Sequence, residues 1–152
     1  MSLSTIAIWV SGIPQPGGSK RAFVINGKAI ITEANTKSKP WRHAVGWEAS
    51  QVIKDPETGP LQVTFQFYLP RPKSHYKSGK HADELKPHAA NLWPIGKPDT
   101  TKLVRSTEDS LKGIAWHDDS QIVMQYASKA YGDTPGVKII IRRVSVLGFD
   151  DL

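Results

Sequence analysis

The strongest periodic signal in this 152-residue chain is an alternation. Leu61, Val63, Phe65, Phe67 and Leu69 are apolar, with Gln62, Thr64, Gln66 and Tyr68 between them. Side chains of an extended segment point to opposite faces in turn, so the pattern predicts a strand over 61–69 with one face in a core. Pro70 stops it. Short apolar, β-branched runs predict further strands at 5–10, 122–127 and 137–144. Two more, at 23–25 and 29–31, flank Asn26-Gly27, a pair that tolerates the positive φ angles of a tight hairpin turn.

A helical period replaces the alternation in two places. Over 40–54, Trp41, Val45, Ala49, Val52 and Ile53 fall on one stripe, and Pro40 suits a first turn. Over 100–112, Leu103, Val104, Thr107 and Leu111 share an apolar arc, while Lys102, Arg105, Glu108, Asp109 and Lys112 share the polar one. Gly113 is placed to supply a left-handed residue after the helix. Residues 71–96 have no period, and an unstructured loop of that length in a compact domain is commonly functional or disordered. The expected architecture is α+β: one domain over 1–152 with its core at 5–144, a mixed sheet of about five strands and two helices packed on it. The tail after Val144 reads as peripheral.

Charge sharpens this picture. Twenty Lys and Arg oppose 14 Asp and Glu, a formal net charge of +6. The excess gathers in the loop 70–97, where Arg71, Lys73, Lys77, Lys80, Lys86 and Lys97 face only Asp83 and Glu84, and again at Lys20-Arg21. Such clusters suit a polyanion, because neutralised phosphates release condensed counterions; they equally suit a well-hydrated surface. With no cysteine, disulfides and thiolate metal sites are excluded. The first ten residues lack a secretory pattern, and the apolar runs are far shorter than the ~20 residues of a membrane span.

Acidic groups gather at element boundaries. Asp99 precedes the second predicted helix, Asp118-Asp119 precede a strand, and Glu108 and Asp109 lie on the helix between them. Mg²⁺ is commonly held by one or two carboxylates plus phosphate oxygens, and it activates water for phosphodiester hydrolysis. Asp99, Asp118 or Asp119, with Arg105 to hold phosphate, supply that inventory. Ordinary structural roles fit the same residues: Asp99 as a helix cap, Asp118-Asp119 as turn residues, Arg105 with Asp109 as a solvated surface pair. His75, His81 and His88 follow no metal-binding spacing and read as solvated loop residues. His117 adjoins the acid pair. The segment 12–20 is rich in glycine and proline but lacks the spacing of a phosphate-binding P-loop. Its Lys20 and Arg21 remain candidates for phosphate contact. Trp41 and Trp47 read as core or rim residues. Trp93 could pack or stack on an unpaired base.

The run Lys97-Pro98-Asp99-Thr100-Thr101-Lys102-Leu103-Val104-Arg105, then Glu108-Asp109-Ser110-Leu111 and Gly113-Ile114-Ala115-Trp116-His117-Asp118-Asp119-Ser120-Gln121-Ile122-Val123, resembles the signature of RusA-type Holliday junction resolvases. Gly12-Ile13-Pro14-Gln15-Pro16 with Ser19-Lys20, and Lys39-Pro40-Trp41-Arg42, resemble the N-terminal half of phage-borne members. The resemblance implies a cytoplasmic homodimer, phage or prophage encoded, that nicks four-way DNA junctions using Mg²⁺ (or Mn²⁺) held by aspartates. It assigns Asp99 and Asp119 as catalytic metal ligands, with Asp118 beside the latter and Asp109 as an acid on the helix. Arg105 stands where the family carries an essential lysine. Backbone contacts are expected from Lys20, Arg21, Arg71, Lys73, Lys77, Lys80, Lys97 and Lys102. One position departs: the family's second aspartate falls at Thr101, and Lys102 follows in place of asparagine. Asp109 or Glu108 is then expected to supply the missing carboxylate, with Asp109 favoured because it shares a helical face with Arg105. The alternative is a junction-binding protein whose nuclease has weakened.

Overall fold

A computed structural model describes residues 5–18 and 20–145 of the chain. Six strands and two helices follow in the order β1 (Thr5–Ser11), β2 (Lys20–Ile25), β3 (Lys28–Glu33), α1 (Ser38–Val52), β4 (Leu61–Leu69), α2 (Thr100–Leu111), β5 (Ile122–Tyr131) and β6 (Gly136–Arg143). Four strands form one mixed sheet in the order β1-β6-β4-β5, and β2 and β3 form a separate hairpin. β6 runs antiparallel to both neighbours, whereas β4 and β5 are parallel. A parallel pair needs a crossover connection, and α2 is that crossover. The α+β expectation holds, with the strands divided between a sheet of four and a hairpin of two.

β4 is the axis of the core. Its Leu61, Val63, Phe65, Phe67 and Leu69 are buried, as the alternation requires. Val137, Ile139 and Ile141 of β6, and Ile8 and Val10 of β1, extend the same face. The helices cover it with Trp41, Val45 and Ala49 from α1 and Leu103, Val104 and Leu111 from α2. Two buried polar contacts fix one helix against the other: Ser38 Oγ lies 3.3 Å from Ser106 Oγ, and Trp41 Nε1 donates to Thr107 Oγ1 at 3.3 Å. Thr107 therefore sits in the apolar arc as a partner for an indole, not as a hydrophobe.

Local chemistry explains the boundaries. Asn26 (φ 52°) and Gly27 (φ 78°) turn the hairpin, and Gly113 (φ 84°) follows α2. Val52 departs from its expected stripe: it ends α1 and is exposed, and Ile53 beyond it is buried instead. The basic loop is more ordered than its composition predicts. Single 3₁₀ turns occupy Lys73–His75, Gly79–His81 and Ala89–Asn91, and backbone bonds such as Lys77 N to Glu84 O (2.9 Å) and Lys86 N to His75 O (2.8 Å) fold it on itself. His75, expected to be solvated, packs edge-on against Tyr131 with ring centroids 5.1 Å apart. Trp47 and Trp93 are both largely exposed. The tail after Val144 lies, apart from Ser145, outside the described residues, as does Ser19. Among the described residues no helix is long and apolar enough to cross a membrane.

Candidate active site

The loop 112–121 carries Asp118 and Asp119 to the start of β5, and the two acids divide their work. Asp118 accepts from Ser120 N at 2.9 Å and stands 3.4 Å from Lys112 Nζ. The Ser120 bond and the Lys112 ammonium hold its carboxyl down to about 2. Gln121 completes a capping box: its side-chain oxygen accepts from His117 N (2.8 Å) and Asp118 N (2.9 Å). Its amide nitrogen donates to Glu57 O and Gly59 O at 2.9 and 3.1 Å. Gln121 is thus a brace tying this loop to the turn before β4.

Asp119 is turned the other way. Its Oδ1 accepts from Trp116 Nε1 at 2.8 Å, and that indole is completely buried. Across from it lies Glu108 of α2, whose Oε2 accepts from Gln125 Nε2 of β5 at 2.7 Å. Burial, then the negative charge of Asp119, push the Glu108 carboxyl above its ordinary range. Asp119 is thus near enough for its charge to act on Glu108, and the Gln125 hydrogen bond opposes that effect. The position that lacks an aspartate, Thr101, is seven residues before Glu108. Seven residues at 100° each return to within about 20° of the same helical face.

Asp99 occupies the N-cap position of α2 without making a side-chain cap bond, so its carboxylate is not consumed by capping. It lines a cleft at the carboxyl ends of β4 and β5, together with Lys97 and Lys102. The turn before it is held from below: Lys129 Nζ of β5 donates to Gly96 O at 2.7 Å and Pro98 O at 2.9 Å. The Lys97-Pro98 bond is cis. Replacing Lys129 by Met removes both bonds while keeping the stem. We expect that change to loosen the 96–99 turn, and faster amide hydrogen exchange at Lys97 and Asp99 in the folded variant checks it.

The glycine-rich segment approaches α2 closely. Gly17 N donates to Lys102 O at 2.9 Å, and a Cβ on Gly17 would sit 3.0 Å from that of Ser106. Gly18 (φ 86°) lies under the Arg105 guanidinium, where any side chain would collide. Arg105 is therefore laid along this loop. Asp109, about one turn along α2 from Arg105, lines a different recess between α1 and α2, beside Lys39, Arg42 and His43. In the basic loop Arg71 donates to Ala89 O at 2.7 Å and lies over the Tyr131 ring, and Lys77 pairs with Glu84 at 3.0 Å. Lys73 and Lys80 are exposed, as are Lys20 and Arg21 at the hairpin.

The structure thus sets Asp119 within electrostatic reach of Glu108, places Asp99 at the cleft at the other end of α2, and gives Asp118 a capping role. Among the described residues no three Asp, Glu or His side chains converge into a ready metal cage. The family pattern described as endodeoxyribonuclease RusA matches residues 14–142. The chain belongs to the RusA family. A relative from Bacillus subtilis (strain 168), named uncharacterized protein YqaN, is 35% identical over 146 residues, covering 94% of this chain and 99% of that protein. The RusA match spans the carboxylates, the cleft and both helices. Trp116, Gln125 and Lys129 are the supporting residues that the sequence did not disclose. Only Trp116 left a trace, as a large aromatic three residues before an acid.

Proposed function

We infer that this chain is a divalent-metal-dependent endodeoxyribonuclease that cuts four-way and related branched DNA. The observation that carries the reading is the Asp119–Glu108 carboxylate pair in a member of an endodeoxyribonuclease family. The donors are all hard oxygens, which suits Mg²⁺ or Mn²⁺. A pair suffices, because Mg²⁺ keeps several waters and takes its remaining oxygens from substrate phosphate. Asp119 and Glu108 would hold the ion, with Asp99 facing the same substrate. Glu108 rather than Asp109 replaces the family's missing aspartate, supported by its closeness to Asp119 and by the separate recess that Asp109 lines.

When bound, the ion would lower the pKa of a water and offset charge on the phosphate. The water oxygen forms a bond to phosphorus, one bridging P–O bond breaks, and the departing oxygen takes up a proton. No covalent enzyme intermediate is needed. Arg105 offers a planar, permanently charged donor set for the phosphate oxygens, and Asp99, at the other end of α2, would act on the strand rather than on the water. Lys20, Arg21, Lys73, Lys80, Lys97 and Lys102 contact the DNA backbones. Affinity should then fall with salt at a log–log slope of about −0.9 per phosphate neutralised, which fluorescence anisotropy over a salt series measures. The homodimer belongs to the same reading, with Phe23, Val24, Ile25 and Ile31, exposed on the hairpin, as apolar surface for a second copy. Sedimentation of the free protein checks it.

The deciding experiment is cleavage of a labelled synthetic four-way junction beside a linear duplex of matched sequence, with Mg²⁺ or with EDTA. Paired, metal-dependent nicks in the junction alone are expected. Thr101 favours one other reading, a junction-binding protein with lapsed catalysis; tight junction-selective binding without cutting in Mg²⁺ or Mn²⁺ would establish that instead.

A further inference from the structure

A cleft of about 880 Å³ opens at the carboxyl ends of the parallel strands β4 and β5 and runs up to Asp99. Its size falls within the roughly 300–1,000 Å³ of small-molecule sites. Pro14, Pro16, Pro70, Pro72, Pro94 and Pro98 make it rigid and largely apolar, and Tyr131, its ring covered by Arg71, closes one side. Its charge is one-sided: Arg71, Lys97 and Lys102 line it against the single acid Asp99. Arg71 is already fixed by Ala89 O (2.7 Å) and the Tyr131 ring (5.2 Å). The loop wall is braced as well, since Asn35 Nδ2 donates to Gln15 Oε1 at 3.0 Å and to Pro16 O at 3.3 Å.

We propose that this cleft receives one unstacked nucleotide of the strand being cut, its base against the proline faces and the Arg71 guanidinium that covers Tyr131, and its phosphates toward Lys97 and Lys102. The inference rests on the nuclease reading and adds a subsite to it. Flat, apolar walls match the faces of a base, and cations at the rim match the phosphates on either side. The cleft lies at the Asp99 end of α2, about 13 Å of helix rise from Glu108, which sets its occupant on the same strand a short way from the metal pair. A base at a branch point costs least to unstack, so the cleft favours branched over continuous duplex DNA.

The test places 2-aminopurine, one position at a time, around the crossover of a four-way junction bound by the full chain in EDTA. A several-fold rise in fluorescence at one position is expected. It should be lost in Gly96→Phe, because Gly96 lines the cleft and a side chain there has open space around its Cβ. Ala34→Trp, on the opposite lining, is a second filling variant should the first not fold. Separately, an NMR titration with the trinucleotide pTpTpT should show binding that both variants lose. Trinucleotide binding without junction cutting would keep the cleft proposal and remove the branched-DNA reading. Junction cutting with neither a fluorescence rise nor trinucleotide binding would overturn the cleft proposal and leave the nuclease. Failure of all three would remove both.

Discussion

Asp119→Asn and Glu108→Gln are each expected to slow junction cleavage by about 10²–10³-fold, the scale of losing one group that stabilises charge in a transition state. Asp109→Asn should change it by no more than a few-fold. The difference follows from placement. Glu108 feels the charge of Asp119 and is held by Gln125, whereas Asp109 lines the recess beside Lys39 and Arg42. Single-turnover cleavage gives the rates, and Mn²⁺ binding followed by electron paramagnetic resonance gives an independent readout. Both carboxylate variants should lose the bound-metal signal. Full activity in Glu108→Gln with loss in Asp109→Asn would return the missing carboxylate to Asp109.

Glu108→Gln should also separate function from stability. Burial and Asp119 raise the folded-state pKa of Glu108 above its ordinary 4.5. The folded protein therefore holds that proton more tightly than the unfolded chain, and stability is lost as pH rises through the folded value. In EDTA the variant should melt higher than the natural protein at neutral pH, and the gap should close below about pH 4, where Glu108 is protonated in both states. A side chain that weakens the metal-free fold and is needed for cutting is a functional one.

What could be read from the chain before its structure was set by where the signal is local. The β4 alternation was sufficient because one face of that strand is buried along its whole length. β5, expected at 122–127, runs on to Tyr131: it is an edge strand with Gln125, Tyr126, Ala127 and Ser128 all exposed, so burial imposes no period on it. The proposed roles of Asp99 and Asp119 rest on the family resemblance, because a cap or a turn explains an isolated acid equally well. Asp118 shows why, since it does take the cap. The preference for Asp109 over Glu108 rested on helical angle relative to Arg105. An angle cannot say which neighbour covers each side: α1 stands beside Asp109, and β5 stands beside Glu108. Such pairings cross from one element to another and have no local signature.

The same logic singles out Trp116. Its ring is completely buried in the core, yet its Nε1 holds Asp119 Oδ1 at 2.8 Å. One residue therefore joins the packing of the domain to the aim of a proposed metal ligand. Trp116→Ala should cost about 3–5 kcal/mol in chemical denaturation, the range for truncating a buried aromatic. That is a large share of the roughly 5–15 kcal/mol available to a domain. Trp116→Phe separates the two roles, because it keeps most of the ring volume and deletes only the donor and part of the indole. It should fold cooperatively, yet bind Mn²⁺ about 10–100-fold more weakly, the scale of removing a group that orients a metal ligand. Adding Asp119→Asn to Trp116→Phe should then cause little further loss of stability, since the hydrogen bond they share is already gone. Unchanged metal affinity in Trp116→Phe would mean that the carboxylate keeps its aim without the indole. The core would then support the site only through the backbone of the 112–121 loop, with Gln121 as its principal brace.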